Sequence, residues 1–432
     1  MNPNRRKKVL TIPKVLGLVF LGALLAILAA NVFTNTEKRV TQPIAHLYGT
    51  GDPQFERTMG SLLGPAMLEG NRVETLVNGD RIFPAMLEAI GSAKYTITFE
   101  TYIYWSGDIG RRFADALSDR AKEGVKVHIL LDWVGSQKME KQYLEKMEAA
   151  GVKIRRYHPL AWYTLDRMNN RTHRKLLVVD GRIGFTGGVG IADEWSGDAQ
   201  DPDHWRDTHY RVEGPVVAQM QAAFNDNWMK VSGEVLHGAN YFPPLEVAGG
   251  TKAQLFMSSS EGGAESMHLM YLLAIAAAEK SIDLSMAYFV PDDLALQAIE
   301  AALKRGVRVR IIMPGRHIDA SLVRRASRAL WGRILDHGAE IHEYQPTMFH
   351  CKVLVIDGLW SSVGSTNFDN RSFRLNDEAN LNVLDAQFAK RQIEDFEADL
   401  KRSRRITLQE WENRPWTERA YERVAALLRS QL

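Results

Sequence analysis

The sequence predicts an α/β protein made of two duplicated halves, each an α/β sandwich, with one site between them. Three observations carry this expectation. His173-x-Lys175-x4-Asp180, followed by Gly187, returns as His350-x-Lys352-x4-Asp357, followed by Gly364, with the glycine seven residues after the aspartate both times. Further anchors repeat in the same order around both copies, and amphipathic helical stretches separate the apolar strands. Composition alone rarely yields such spacing in a chain with 12 histidines.

The first strand of each half reads from residues 94–102 (KYTITFETY) and 280–288 (KSIDLSMAY), with the tyrosine eight residues after the lysine in each. Residues 124–130 (GVKVHIL) then match 306–312 (GVRVRII), and Gly151 with Tyr157 matches Gly338 with Tyr344, six apart in both cases. Between them, residues 109–122 and 293–304 place apolar side chains at three- and four-residue spacing, as a helix with one buried face requires. Strand, helix, strand in repeated order implies right-handed crossovers and sheets covered by helices.

Each motif copy itself reads as a strand. A period of two puts His173 and Lys175 on one face, and His350 and Lys352 likewise. Cys351 then points to the opposite, apolar side and reads as a small core residue, not a nucleophile. Each run ends at Asp-Gly (Asp180-Gly181, Asp357-Gly358), a turn signal leading into a second short strand, so a structural role suits the aspartates more readily than a catalytic one. Two imidazoles and two ammonium groups at matched positions describe phosphoryl transfer. One histidine attacks phosphorus, the other protonates the departing alcohol, and the lysines neutralise the non-bridging oxygens.

These residues resemble the paired histidine-lysine-aspartate motifs of the phospholipase D superfamily, whose fold is the two-halved sandwich with the active site between the halves. Superfamily members continue with Gly-Ser-x-Asn. The second copy has it in full as Gly364-Ser365-Thr366-Asn367, whereas the first reads Gly187-Gly188-Val189-Gly190. The resemblance places Asp180 and Asp357 within the catalytic motifs and implies that Ser365 and Asn367 bind substrate phosphate on one side only, so the two halves do different jobs. Asp207, in Trp205-Arg206-Asp207-Thr208-His209, and Glu378, in Asn376-Asp377-Glu378-Ala379-Asn380, stand 34 and 28 residues after their histidines. In the superfamily an acidic residue at this place holds a ring nitrogen of a catalytic histidine. Nothing at metal-site spacing accompanies His204 and His209, which read as structural histidines.

Residues 70–430 look most like bacterial cardiolipin synthases, on the stretches Gly70-Asn71-Arg72-Val73, Phe99-Glu100-Thr101-Tyr102, Trp205-Arg206-Asp207-Thr208, Ala287-Tyr288-Phe289-Val290-Pro291 and Asn370-Arg371-Ser372-Phe373. The resemblance implies a phosphatidyl transfer in two displacements. His173 attacks the phosphorus of phosphatidylglycerol while His350 protonates the leaving glycerol. His350 then deprotonates the hydroxyl of an acceptor lipid, which attacks the phosphohistidine and yields cardiolipin. No metal or organic cofactor is implied, because the lysines supply the cationic clamp. The partners implied are phosphatidylglycerol, with phosphatidylethanolamine as a further candidate, and the bilayer itself. A net charge of +2 and a pI near 8.4 disfavour a dedicated nucleic-acid binder. Both motifs lie in one chain, so no oligomer is required. Hydrolysis to phosphatidic acid shares every catalytic residue and stays open, as does a superfamily nuclease; two intact motifs argue against a degenerate scaffold.

At 432 residues and 45% hydrophobic, the chain can bury two cores, and its single cysteine excludes an internal disulfide. Residues 1–14 form a basic tail. Residues 15–35 carry no charge over 21 positions, enough for the roughly 20 residues that span a bilayer. Arg5, Arg6, Lys7, Lys8 and Lys14 precede them, so the positive-inside rule keeps the N-terminus cytoplasmic and puts the catalytic body on the outer, periplasmic side of a bacterial inner membrane as a single-pass protein. A cleaved signal peptide and a buried core helix are the rivals. The apolar run exceeds a usual h-region, and Ala29-Ala30 lacks the Ala-x-Ala arrangement. A juxtamembrane connection (36–70), the first half (71–230), a linker (231–251), the second half (252–400) and a charged helical tail (401–432) follow. The tail reads as an amphipathic cap on the body, with membrane-surface contact as the alternative. The first half also carries about ten extra residues in segment 159–171, where Trp162 and Tyr163 either rim the site and touch acyl chains or pack the loop onto the body.

Overall fold

The computed structural model describes residues 12–33, 40–159, 170–259 and 266–432. The first half contributes strands β1 (Leu68–Val77), β2 (Thr96–Thr101), β3 (Lys126–Asp132), β4 (Lys153–Tyr157), β5 (Arg171–Thr172), β6 (Leu176–Val179), β7 (Ile183–Gly187) and β8 (Thr208–Glu213). The second contributes β9 (Thr251–Ser258), β10 (Ser281–Met286), β11 (Phe289–Val290), β12 (Arg308–Pro314), β13 (Glu340–Tyr344), β14 (Lys352–Ile356), β15 (Trp360–Gly364), β16 (Phe368–Asp369), β17 (Asn376–Leu384) and β18 (Ser403–Ile406).

The duplication seen in the sequence is a duplication of topology. One half runs β1-β8-β7-β6-β2-β3-β4 and the other β9-β17-β15-β14-β10-β12-β13-β18, the same order position by position apart from β18. The two orders join at their first strands, where β1 pairs antiparallel with β9, so one continuous sheet passes through both halves. β2, β3 and β4 are parallel, as are β10, β12 and β13, and helices make the crossovers between them. In the first of these, Asp108–Lys122, the spacing of Ile109, Phe113, Ala114 and Leu117 puts all four in the core. Its counterpart Asp293–Lys304 buries Leu296, Ile299 and Ala302, and the Asp292 carboxylate caps it by accepting from the Ala295 amide.

The Asp-Gly pairs form the hairpin turns expected of them. Asp180 and Gly181 have φ of 53° and 64°, and Asp357 and Gly358 have φ of 56° and 64°, the two positive values that a type I′ turn demands. Each aspartate also reaches back to the strand beside it. Asp180 accepts from the amides of Lys94, Tyr95 and Thr96, and Asp357 from those of Glu279, Lys280 and Ser281. The repeated lysine anchors are therefore the points where strand β2 and strand β10 are tied to the motif hairpins.

Residues 403–406, expected within a helical tail, instead form β18 on the edge of the second half's sheet, antiparallel to β13. Two helices follow it, Leu408–Glu412 and Trp416–Ala426. At the other end a helix backbone runs Ile12–Phe33, with Leu16 and Phe20 63% and 72% exposed. Among the described residues no helix is long and apolar enough to cross a membrane, so the structure does not support the expected transmembrane span. The loop carrying Trp162 and Tyr163 lies outside the described residues.

Candidate active site

The regular strands of the two motifs begin at Leu176 and Lys352, so both histidines lie just ahead of them and not within them, as their alternation had suggested. The reason is that the entry segments bond elsewhere. The His173 amide donates to the Asp377 carbonyl at 2.9 Å and the His350 amide to the Arg206 carbonyl at 2.8 Å. β5 pairs with β17, and Phe349 bridges to Arg206, so each motif enters its own sheet only after pairing with the opposite half.

That crossing carries over to the side chains. His173 Nδ1 lies 3.0 Å from both carboxylate oxygens of Glu378, and His350 Nδ1 lies 2.7 Å from Asp207 Oδ2. Each half thus supplies the carboxylate for the other half's histidine. With Nδ1–H donating to an ionised acceptor, Nε2 of each ring keeps the free lone pair.

The two carboxylates are held by different means. Glu378 accepts from the Ser365 hydroxyl at 2.5 Å, and Ser365 in turn accepts from the Ala379 amide at 2.9 Å. Ser365, expected to bind phosphate, is fully buried and its hydroxyl is directed at Glu378. In the first half the serine position is Gly188, and a Cβ there would fall 2.2 Å from Asp207 Oδ1. The carboxylate occupies the space a side chain would need, and the Trp195 indole N–H donates to Asp207 Oδ2 at 2.9 Å in place of a hydroxyl. Trp195 and Trp205 also pack against the His350 ring at 5.3 and 5.4 Å, whereas His173 has Tyr102 at 5.1 Å.

Both lysines are buried beside their histidines. Lys175 Nζ donates to the His173 carbonyl and Lys352 Nζ to the His350 carbonyl, each at 2.7 Å, and Lys352 Nζ lies 3.1 Å from both ring nitrogens of His350. Burial lowers Lys175 to about 7 against the pull of Glu378, and it lowers Lys352 as well. Burial also takes His173 down to about 4, with Lys175 adding to the effect and Glu378 opposing it. His350 is lowered by burial and by Lys352. Burial alone would raise Glu378 and Asp207, but the facing imidazoles and lysines more than offset it and hold both below their ordinary values. The site therefore sets neutral histidines against ionised carboxylates, with cationic capacity for an anionic ligand.

Asp180 and Asp357, placed within the catalytic motifs by resemblance, lie in the hairpin turns with their oxygens accepting from backbone amides. Cys351 is buried and its thiol is pushed up by burial. Asn367 does face the site, and among the described residues its buried Oδ1 has no hydrogen-bond partner. His209 is buried at the start of β8, and among the described residues no cluster of histidine, cysteine or carboxylate side chains is fit to hold a metal ion. A cavity of about 550 Å³ receives His173, Lys175, His350 and Asn367, with Arg371, Tyr102, Tyr288 and Trp205 around them. The sequence assigned none of those last four a place in the site. The matched tyrosines were the available signal, since Tyr102 and Tyr288 follow the repeated strands β2 and β10.

The sequence matches the family described as cardiolipin synthase, PLD-like domain, over residues 86–228 and 271–400, the two segments that hold the two motifs. The chain belongs to that family, within the phospholipase D superfamily. It is 36% identical over 357 residues to cardiolipin synthase 2 of Bacillus anthracis, covering 82% of this chain and 69% of that one. It is 35% identical over 378 residues to cardiolipin synthase A of Pseudomonas fluorescens, covering 86% and 77%. Among solved structures it shares its fold with a phosphatidylserine synthase of Haemophilus influenzae, at a TM-score of 0.68 and 14% identity over 88% of this chain and all of the other. The protein is a phosphatidyltransferase of the phospholipase D superfamily, acting on phospholipids.

Proposed function

We propose that this member of the family joins phosphatidylglycerol to an acceptor phospholipid, a second phosphatidylglycerol giving cardiolipin, through a phosphohistidine. The observation that carries the proposal is the pair of crossed histidine–carboxylate contacts at one cavity, each with a lysine beside it. Nε2 of His173 attacks phosphorus as the bond from phosphorus to the glycerol oxygen breaks, and His350 Nε2–H gives that oxygen its proton. The acceptor hydroxyl then returns a proton to His350 Nε2 and attacks phosphorus as the P–N bond breaks. The bound phosphodiester is an anion, so it favours the charged forms of Lys175, Lys352 and one imidazole, opposing the effect of burial. Asn367 and the two lysines contact the non-bridging oxygens.

The exposed apolar face of the helix Ile12–Phe33 supports anchoring beside the lipid, with the basic N-terminus cytoplasmic and the body on the outer side of a bacterial inner membrane. The test is to incubate purified, detergent-solubilised protein with labelled phosphatidylglycerol, alone and with phosphatidylethanolamine, and resolve the lipids. Cardiolipin with released glycerol or ethanolamine is expected. Phosphatidic acid as the sole product would replace the transfer reading with hydrolysis.

A further inference from the structure

The helix Trp416–Ala426 turns its apolar side away from the protein. Trp416, Val424 and Leu427 are 73%, 64% and 81% exposed, and at 3.6 residues per turn they fall with Ala420 on one side. The opposite side carries the two buried residues, Glu422 and Ala425. Ion pairs fix this orientation, since Arg328 pairs with both Glu418 and Glu422, and Arg414 Nε donates to Glu422 at 3.0 Å. Tyr421 and Leu428 extend the exposed patch.

Arg419 and Arg423 flank the stripe. Both are exposed, and among the described residues neither has a carboxylate within ion-pair distance. They stand one turn apart, a like-charge spacing that destabilises a helix unless anions are supplied from outside. Leu427 and Leu428 lead on to Leu432, whose carbonyl accepts from the Arg371 amide and which lines the active-site cavity with Val323.

We infer that this face of the C-terminal helix docks on an anionic phospholipid surface and so sets the cavity mouth against the bilayer. Trp416 and the aliphatic stripe enter the headgroup boundary while Arg419 and Arg423 meet lipid phosphates. A second copy of the chain fits less well, because a two-fold contact through this face brings the same unpaired arginines toward each other. The inference rests on the proposed lipid reaction for its meaning, but its test does not depend on turnover.

Full-length Leu427→Cys protein is labelled with an environment-sensitive dye, Cys351 being buried, and reconstituted into vesicles of phosphatidylglycerol or of phosphatidylcholine carrying a lipid-borne quencher. Lys141→Cys, on a side chain 87% exposed, is the control. In phosphatidylglycerol vesicles quenching at 427 is expected to exceed the control several-fold, and Arg419→Glu with Arg423→Glu is expected to reduce it to the control level. Quenching at 427 no greater than at 141, or unmoved by the double reversal, would overturn the inference. So would a dye shift in detergent that grows with protein concentration, because that marks self-association. Docking with no lipid turnover would retain this surface and reject the reaction.

Discussion

His173 and His350 occupy equivalent positions in a duplicated fold and share their nearest contacts, yet the groups around those contacts differ. Both rings give Nδ1 to a carboxylate from the opposite half. Beyond that the halves diverge: a serine hydroxyl steadies Glu378, and a tryptophan indole steadies Asp207. Two tryptophans pack against His350, while His173 meets one tyrosine, and its carboxylate Glu378 also accepts from Ser365 and Asn376. The halves share the element that fixes the tautomer and differ in how its carboxylate is held.

The largest effect should come from the element the halves share. His173→Ala and His350→Ala are each expected to cut turnover by roughly 10⁴-fold or more with folding intact by circular dichroism. Near-normal activity in either would remove the equivalence on which the comparison stands. Glu378→Gln and Asp207→Asn come next, at about 10²- to 10⁴-fold in kcat, because an amide can present the wrong partner to Nδ1 and free the wrong tautomer. If only one of the two mattered, the crossed arrangement would be functional on one side alone.

Where the halves differ, effects should be smaller. Ser365→Ala and Trp195→Phe each remove one donor to a carboxylate that keeps its histidine, for a loss of about tenfold. A Ser365→Ala loss in KM with kcat intact would instead mark it as a phosphate contact. Last is the pH profile. His173, lowered to about 4 by burial, must be neutral to attack, so kcat/KM rises with pH through about 4. His350, lowered below its ordinary value, must carry a proton to donate, and Lys175 discharges at about 7. The profile of kcat/KM should therefore fall as pH rises toward and past 7, with an optimum on the acidic side of neutrality. An optimum above about pH 8 would mean that burial does not govern these groups.

Much of this was legible in the sequence because the chain states it twice. The repeated lysine, glycine and tyrosine anchors located the parallel strands of both halves, and Asp-Gly marked the hairpins where Asp180 and Asp357 hold backbone amides. Cys351 was read as core from strand alternation alone. The crossing was not legible, since which carboxylate meets which histidine depends on how β5 and β17 pair across the two-fold. The contact of Ser365 with Glu378 was not legible either, because a resemblance carries a residue's presence but not the direction of its hydroxyl. Trp195 escaped notice because an indole replaced that hydroxyl from a different point in the chain, and Gly188 recorded only the space left for Asp207.

In the proposed reaction the equivalent histidines divide the work, with His173 taking the phosphatidyl group. Millisecond quenching of the purified enzyme with phosphatidylglycerol labelled in its phosphate, followed by proteolysis and mass spectrometry at alkaline pH, tests it directly. The account predicts label on the peptide holding His173, absent from His173→Ala. Label on the His350 peptide, or steady turnover with neither histidine modified, would contradict it.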